Sequence, residues 1–216
     1  IFAHVCGLKV VMPASPHDAK GMLIAAIEDD NPVVFLEHRW LHHVKGHVPA
    51  GHYTTPIGPA RQVRSGRDVT IVALSYMVLE AMEAAEKLAS IGIDADVIDL
   101  RCLRPLDRTL IIESVQKTGR LVVADTGWAL AGMSAEIIAS VTESAFRSLK
   151  SAPQRVCLPD CPTPTGPSLA ADYYPRSGHI VAAVRASLGL DADDSDLAVA
   201  AGTELDKPNP AFTGPF

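Results

Sequence analysis

Apolar positions recur along this chain with two periods, about two and about 3.6 residues, and their succession predicts alternating strands and helices. Lys9 to Met12 has the character of a strand. Ser15-Pro16-His17-Asp18 then supplies an N-cap, a proline at the first helical position and an acid at the third, so Ala19 to Asp30 should be helical. Met22, Leu23, Ala26 and Ile27 form its apolar face, and Asn31-Pro32 stops it before Val33 to Leu36, a continuous apolar run typical of a strand buried on both sides. Residues 38 to 66 break the pattern with five histidines, prolines and glycines, and are expected to be loop and linker. Beyond them the alternation is regular. Strands are expected at Val69–Leu74, Ala95–Asp99, Leu121–Ala124 and Arg155–Leu158, with helices at Val78–Ala89, Asp107–Lys117, Ser134–Leu149 and His179–Leu188. Such alternation needs crossover connections, so the expected fold class is α/β, a mainly parallel sheet with helices on both faces.

Composition narrows the setting. The 216 residues are 48% hydrophobic, 20% charged and 5% aromatic, enough for a buried core and far from a disordered chain. No stretch approaches the roughly 18 consecutive apolar residues of a membrane span, and the N-terminus lacks the pattern of a secretory signal, so no membrane partner is expected. Six of the acids lie between residues 191 and 216 against Lys207 alone, which leaves residues 1–190 at a net −1 and argues against nucleic acid as a partner. Residues 191–216 are expected to be a solvated acidic tail, and the four cysteines are too few for a disulfide scaffold and suit a reducing compartment such as the cytoplasm.

Taken singly, the motifs carry little chemistry. The turn Gly127 to Ser134 sits where a phosphate loop would, but Met133 stands where a Walker loop needs Lys, and Gly127 has no partner two residues on. It is expected to be a tight turn with Ser134 as helix N-cap. His38, His42, His43, His47 and His52 lack the spacing of a zinc site and are expected to form a polar loop surface, and Cys157-x-x-x-Cys161 is too wide for a redox pair. Glu37, Asp99, Asp125 and Glu136 fall at or after strand ends, where α/β proteins place acid–base groups; capping of helices or pairing with Arg101 and Arg104 is an equal reading.

The order of several segments says more. Phe2 to Pro13, Asp18-Ala19-Lys20-Gly21 and Asp30-Asn31-Pro32-Val33 with Glu37, then Val97-Ile98-Asp99-Leu100-Arg101, Leu103-Arg104-Pro105-Leu106-Asp107, Lys117 to Leu121, Ala135-Glu136-Ile137, Ala152-Pro153 and Tyr174-Pro175, resemble the β subunit of the thiamine diphosphate-dependent component of 2-oxo acid dehydrogenase complexes, of the pyruvate, branched-chain and acetoin type. The resemblance covers residues 1 to about 188 and implies four parts: residues 1–52 the end of a pyrimidine-binding domain, 53–66 a linker, 67–190 a transketolase C-terminal-like domain, and 191–216 the acidic Pro/Ala-rich tail. It also implies oxidative decarboxylation of a 2-oxo acid with acyl transfer to lipoyl groups, in partnership with an α subunit, a second β subunit and a lipoyl acyltransferase. The family's catalytic acid and histidine correspond to positions before Ile1, and its α subunit holds the diphosphate and magnesium. The chain is therefore expected to be a truncated β subunit without catalytic or cofactor-binding residues of its own, inactive alone, located in the cytoplasm or, in a eukaryote, the mitochondrial matrix.

By the same resemblance a potassium ion would be held at the matching positions Ala26, Ile27, Asp29 and Asn31, where a helix C-terminus offers unpaired carbonyls. Two departures stand out. Asp125 to Gly132 differs from the family's usual turn, and Lys150-Ser151 precedes Ala152-Pro153 where some members carry an acid that binds the acyltransferase, a pairing Lys cannot make. Another transketolase-like thiamine enzyme and a non-catalytic dimerisation or assembly module are the alternatives.

Overall fold

The computed structural model describes residues 1–170, 172–191 and 193. Most of the acidic tail expected at 191–216 therefore lies outside the described residues. Eight strands and six α-helices occur among those described: β1 Lys9–Val11, α1 Pro16–Ile27, β2 Val33–Phe35, β3 Arg61–Arg64, β4 Val69–Ala73, α2 Met77–Ser90, β5 Ala95–Asp99, β6 Cys102–Arg104, α3 Arg108–Thr118, β7 Leu121–Trp128, α4 Met133–Ala145, β8 Gln154–Leu158, α5 Pro167–Ala170 and α6 Ser177–Leu188. No helix among them is long and apolar enough to cross a membrane.

The larger sheet has the order β3-β5-β4-β7-β8, parallel throughout except for β3, which pairs antiparallel with β5 at one edge. Period-two patterning sorts its side chains. Val69, Ile71 and Ala73 of β4 with Val122 and Ala124 of β7 face a layer of α2 and α6, while Val72, Leu74, Leu121 and Val123 face α3 and α4. The sheet is thus covered on both sides, as the sequence predicts, and its strands are apolar on both faces because neither face meets water.

A second, three-stranded sheet runs β2-β1-β6, with β1 parallel to β2 and antiparallel to β6. Strand β6 ties the two sheets together. The chain leaves the large sheet at Asp99, turns through Arg101 at φ 55° and enters the small one at Cys102, while the Met12 amide donates to the Arg101 carbonyl at 2.7 Å across the joint.

Local signals held where the cap chemistry was explicit. Ser15 accepts from the Asp18 amide at 3.1 Å with Pro16 opening α1, and Asp107 caps α3 by accepting from Leu110. Gly119, left-handed at φ 79°, closes α3. Other expectations fail: Leu23 and Ile27 of the apolar face expected for α1 are exposed, and β2 is only half-buried. Residues 38–66 are not all loop: Arg39–His43 forms a 3₁₀ turn and Arg61–Arg64 is β3. Strand β6 was hidden inside an Arg/Pro-rich stretch too short to show a period. Helix α4 starts at Met133 with Gly132 as N-cap, so Ser134 lies fully buried inside the first turn and does not cap it.

Candidate functional site

In the large sheet the chain goes from β4 to β5 on one side and then crosses to β7 on the other, so the switch point lies between the carboxyl ends of β4 and β7. Crevices at such points are where open α/β sheets bind ligands. A cleft of about 770 Å³ opens there, between Leu74 and Asp125 of the large sheet and the segment Ile1 to His4 with Val10 and Met12 of the small one; Leu103 to Leu106, Arg108, Met133 and Glu136 complete its wall.

Its polar groups are largely committed to one another. Arg104 donates to the Ala3 carbonyl at 3.0 Å and pins the N-terminal turn. Arg108 and Glu136 form an exposed ion pair at 2.7 Å. Asp125, only 6% exposed, accepts from the amides of Gly127, at 2.9 Å, and Ser134. Burial nevertheless pushes its carboxyl above the usual carboxylate range, against the opposing pull of those two amides. The turn that Ser134 was expected to cap is therefore held from inside by Asp125.

Asp125 thus occupies the Ser134 amide in the first turn of α4, an amide that would otherwise face the cleft. No group of three or more His, Cys, Asp or Glu among the described residues is placed to hold a metal ion.

The other predicted positions lie elsewhere. Ala26 and Ile27 end α1, and Asp29 beyond it forms an ion pair with Lys9 and accepts from both the backbone and side-chain amides of Asn31; these donors, Lys9 foremost, hold its carboxyl at about 2. The Asp29 carboxylate is thus engaged on both oxygens, by Lys9 on one and Asn31 on the other. Glu37 is exposed beside His42 at 3.3 Å, and His52 meets Glu28 at 2.6 Å. His43 and His47 are exposed, whereas His38 is half-buried, its imidazole pKa lowered by desolvation and the nearby His42. Asp99 is buried at the joint of the two sheets, not in the cleft.

Two features have no counterpart in the sequence reading. His38 stacks on Tyr76 and Trp40 sits edge-on to it, with centroids 5.2 and 4.9 Å apart; the Arg176 guanidinium lies 4.7 Å over Trp40 and 3.0 Å from the buried Glu80, which also accepts from Tyr76 at 2.6 Å and from the Ser177 amide at 2.7 Å. This cluster fastens the 38–43 turn to α2 and α6, and nothing local in sequence announces contacts spanning a hundred residues. The second is Ser75, at φ 48° between β4 and α2, fully buried with a hydroxyl that makes no hydrogen bond.

Comparison with known proteins gives these features a context. The model of the transketolase C-terminal domain matches residues 58–180 and that of the transketolase pyrimidine binding domain residues 1–43. The chain is 46% identical over 188 residues to the acetoin:2,6-dichlorophenolindophenol oxidoreductase subunit beta of Cupriavidus necator, covering 87% of this chain and 56% of that protein. It is also 46% identical over 194 residues to the mitochondrial pyruvate dehydrogenase E1 component subunit beta of Caenorhabditis elegans, covering 88% and 55%. A solved structure described as a split gene transketolase, inactive beta4 tetramer, superposes with a TM-score of 0.72 at 29% identity over 88% of this chain and 60% of that one. The chain thus spans about half the length of the curated relatives it matches.

Proposed function

The chain belongs to the family of the transketolase C-terminal domain, and from that premise we propose that it forms the C-terminal part of the β subunit of a 2-oxo acid dehydrogenase. The observation that carries this is the 46% identity to acetoin and pyruvate dehydrogenase β subunits over 188 and 194 residues, 87% and 88% of this chain, which takes in both matched domains. The complete enzyme would decarboxylate a 2-oxo acid and pass the acyl unit to a lipoyl group. Thiamine diphosphate, when bound, supplies the carbanion that this reaction needs.

In this reading residues 1–52 close a pyrimidine-binding domain, 53–66 link and 67–190 form the C-terminal domain, a division supported by matches that stop at 43 and resume at 58. This chain contributes scaffold and contact surface to an α subunit and a second β subunit, and the cofactor with its magnesium is held outside it, a reading supported by the engagement of the Ser134 amide, in the first turn of α4, by Asp125. A potassium ion at Ala26, Ile27, Asp29 and Asn31 would rest on the carbonyls at the end of α1. Docking to a lipoyl acyltransferase would differ from that of members with an acid before Ala-Pro, since Lys150 folds back over α3 and donates to the Thr118 carbonyl at 3.1 Å. The setting would be the cytoplasm, or the mitochondrial matrix in a eukaryote.

The assembly-module reading draws on one observation, the inactive tetramer of the split-gene transketolase with the same fold. Co-expression of the reading frame that encodes this chain with its α subunit separates the two. Co-purification with thiamine diphosphate-dependent release of carbon dioxide from pyruvate or another 2-oxo acid is expected. A chain that assembles with itself, binds no α subunit and restores no decarboxylation would overturn the enzyme-subunit reading in favour of the module.

A further inference from the structure

The joint between the two sheets is built from charges that solvent scarcely reaches. Asp18, in the first turn of α1 and 1% exposed, receives the Arg101 guanidinium at 3.2 Å and the Ser15 hydroxyl at 3.1 Å. Arg101 spans the joint: its other terminal nitrogen donates to the Pro59 carbonyl of the linker at 2.7 Å, and its backbone amide donates to the Asp99 carboxyl at 3.1 Å. Asp99 ends β5 of the large sheet and is 2% exposed.

Every neighbouring element contributes to the charge balance. From α1 come Asp18 and His17, the latter 3.4 Å from Asp18; from β3 comes Arg61, 3.5 Å from Asp18 and about a third exposed; from the β5–β6 turn comes Arg101; from β6 comes the buried Cys102, whose thiol is pushed up to about 11 and stays neutral. Two buried carboxyls are therefore gathered on Arg101, Asp18 on its guanidinium and Asp99 on its backbone amide, with Arg61 as a second cation at the rim. With one carboxyl neutral, the Asp18–Arg101 pair is balanced. With both ionised, like charges face each other in a medium that screens them weakly.

We propose that the Asp18–Arg101–Asp99 cluster is a proton-gated latch between the two sheets, closed when Asp99 carries a proton and loosened when it is ionised. Burial first, and then the charge of Asp18, lift the Asp99 carboxyl from 3.8 to about 7, so the latch works across the neutral range. The sign follows from proton linkage. The closed joint holds a proton that an opened, solvated Asp99 releases at any pH above about 4, so opening becomes easier as pH rises from about 4 to 7 and then levels off.

The reporter is the Met12 amide, whose hydrogen bond to Arg101 crosses the joint. Hydrogen exchange of this amide in the full chain, corrected for intrinsic rates, should show the opening equilibrium rising up to roughly tenfold per pH unit between pH 5 and 7, then flattening. Asp99→Asn, which keeps an oxygen for the Arg101 amide, should remove the rise and retain the protection seen at pH 5. An equal rise in both proteins overturns the proposal. Carbon-detected titration of the Asp99 carboxyl in the unmodified chain decides even if the variant fails to fold: a midpoint near 7 supports the latch, and one below 5 refutes it.

Discussion

Ser75→Gly should make the protein more stable, against the usual effect of putting glycine beside a helix. Ser75 holds φ 48°, a conformation in which the Cβ of an L-residue crowds the following carbonyl at a cost of about 1–2 kcal/mol. Its hydroxyl is fully buried and unpartnered, which adds about 1–2 kcal/mol of uncompensated desolvation. Glycine removes both and gives back about 0.5–1 kcal/mol through the greater freedom of the unfolded chain. The net expectation is a gain of about 1–3 kcal/mol, equivalent, at about 3 °C per kcal/mol, to a rise of roughly 3–9 °C in melting temperature for a chain of this size. Differential scanning calorimetry at fixed pH measures it. Ser75→Ala separates the two causes, since it removes the hydroxyl but keeps the crowded Cβ, and should recover only part of the gain. A Tm for Ser75→Gly at or below that of the unmodified chain would refute the reasoning, because it would mean that the left-handed turn is unstrained or that the hydroxyl is satisfied.

Two other substitutions test the site walls. A Cβ on Gly132 would lie 2.1 Å from the Trp128 carbonyl oxygen, so Gly132→Ala should destabilise by roughly 2–3 kcal/mol, by analogy with overpacking, and weaken near-ultraviolet dichroism from Trp128. Arg176→Ala strands the buried Glu80 and uncovers Trp40; a loss of about 3 kcal/mol or more in urea unfolding and a red shift of Trp40 emission are expected, and adding Glu80→Gln should recover part of the stability but leave the red shift.

The fold was legible wherever one physical cause decided the outcome locally. Caps at Ser15 and Asp107, the glycine after α3 and the apolar runs of β4, β5 and β7 each depend on residues within a few positions, so their elements appear in the sequence, although α1 lies three residues earlier than expected and β7 runs four residues further, to Trp128. Strands β3 and β6 were invisible because each has three or four residues and owes its form to a partner strand, β5 and β1, far from it in sequence. The same logic separates the carboxyls. Asp99 and Asp125 both follow apolar strands and look alike in sequence, yet one meets Asp18 across a joint and the other meets the amides of its own turn.

The two long-range clusters also explain why residues 1–43 stay attached to the C-terminal domain. On one side of the small sheet the attachment is aromatic and cationic, Arg176 between Trp40, Tyr76 and Glu80; on the other it is the charged joint around Arg101. The first joins a permanently charged guanidinium to a buried carboxylate that also accepts from the Tyr76 hydroxyl and the Ser177 amide. The second gathers two buried carboxyls on Arg101, Asp18 on the guanidinium and Asp99 on the backbone amide, and burial pushes the Asp99 carboxyl up to about 7.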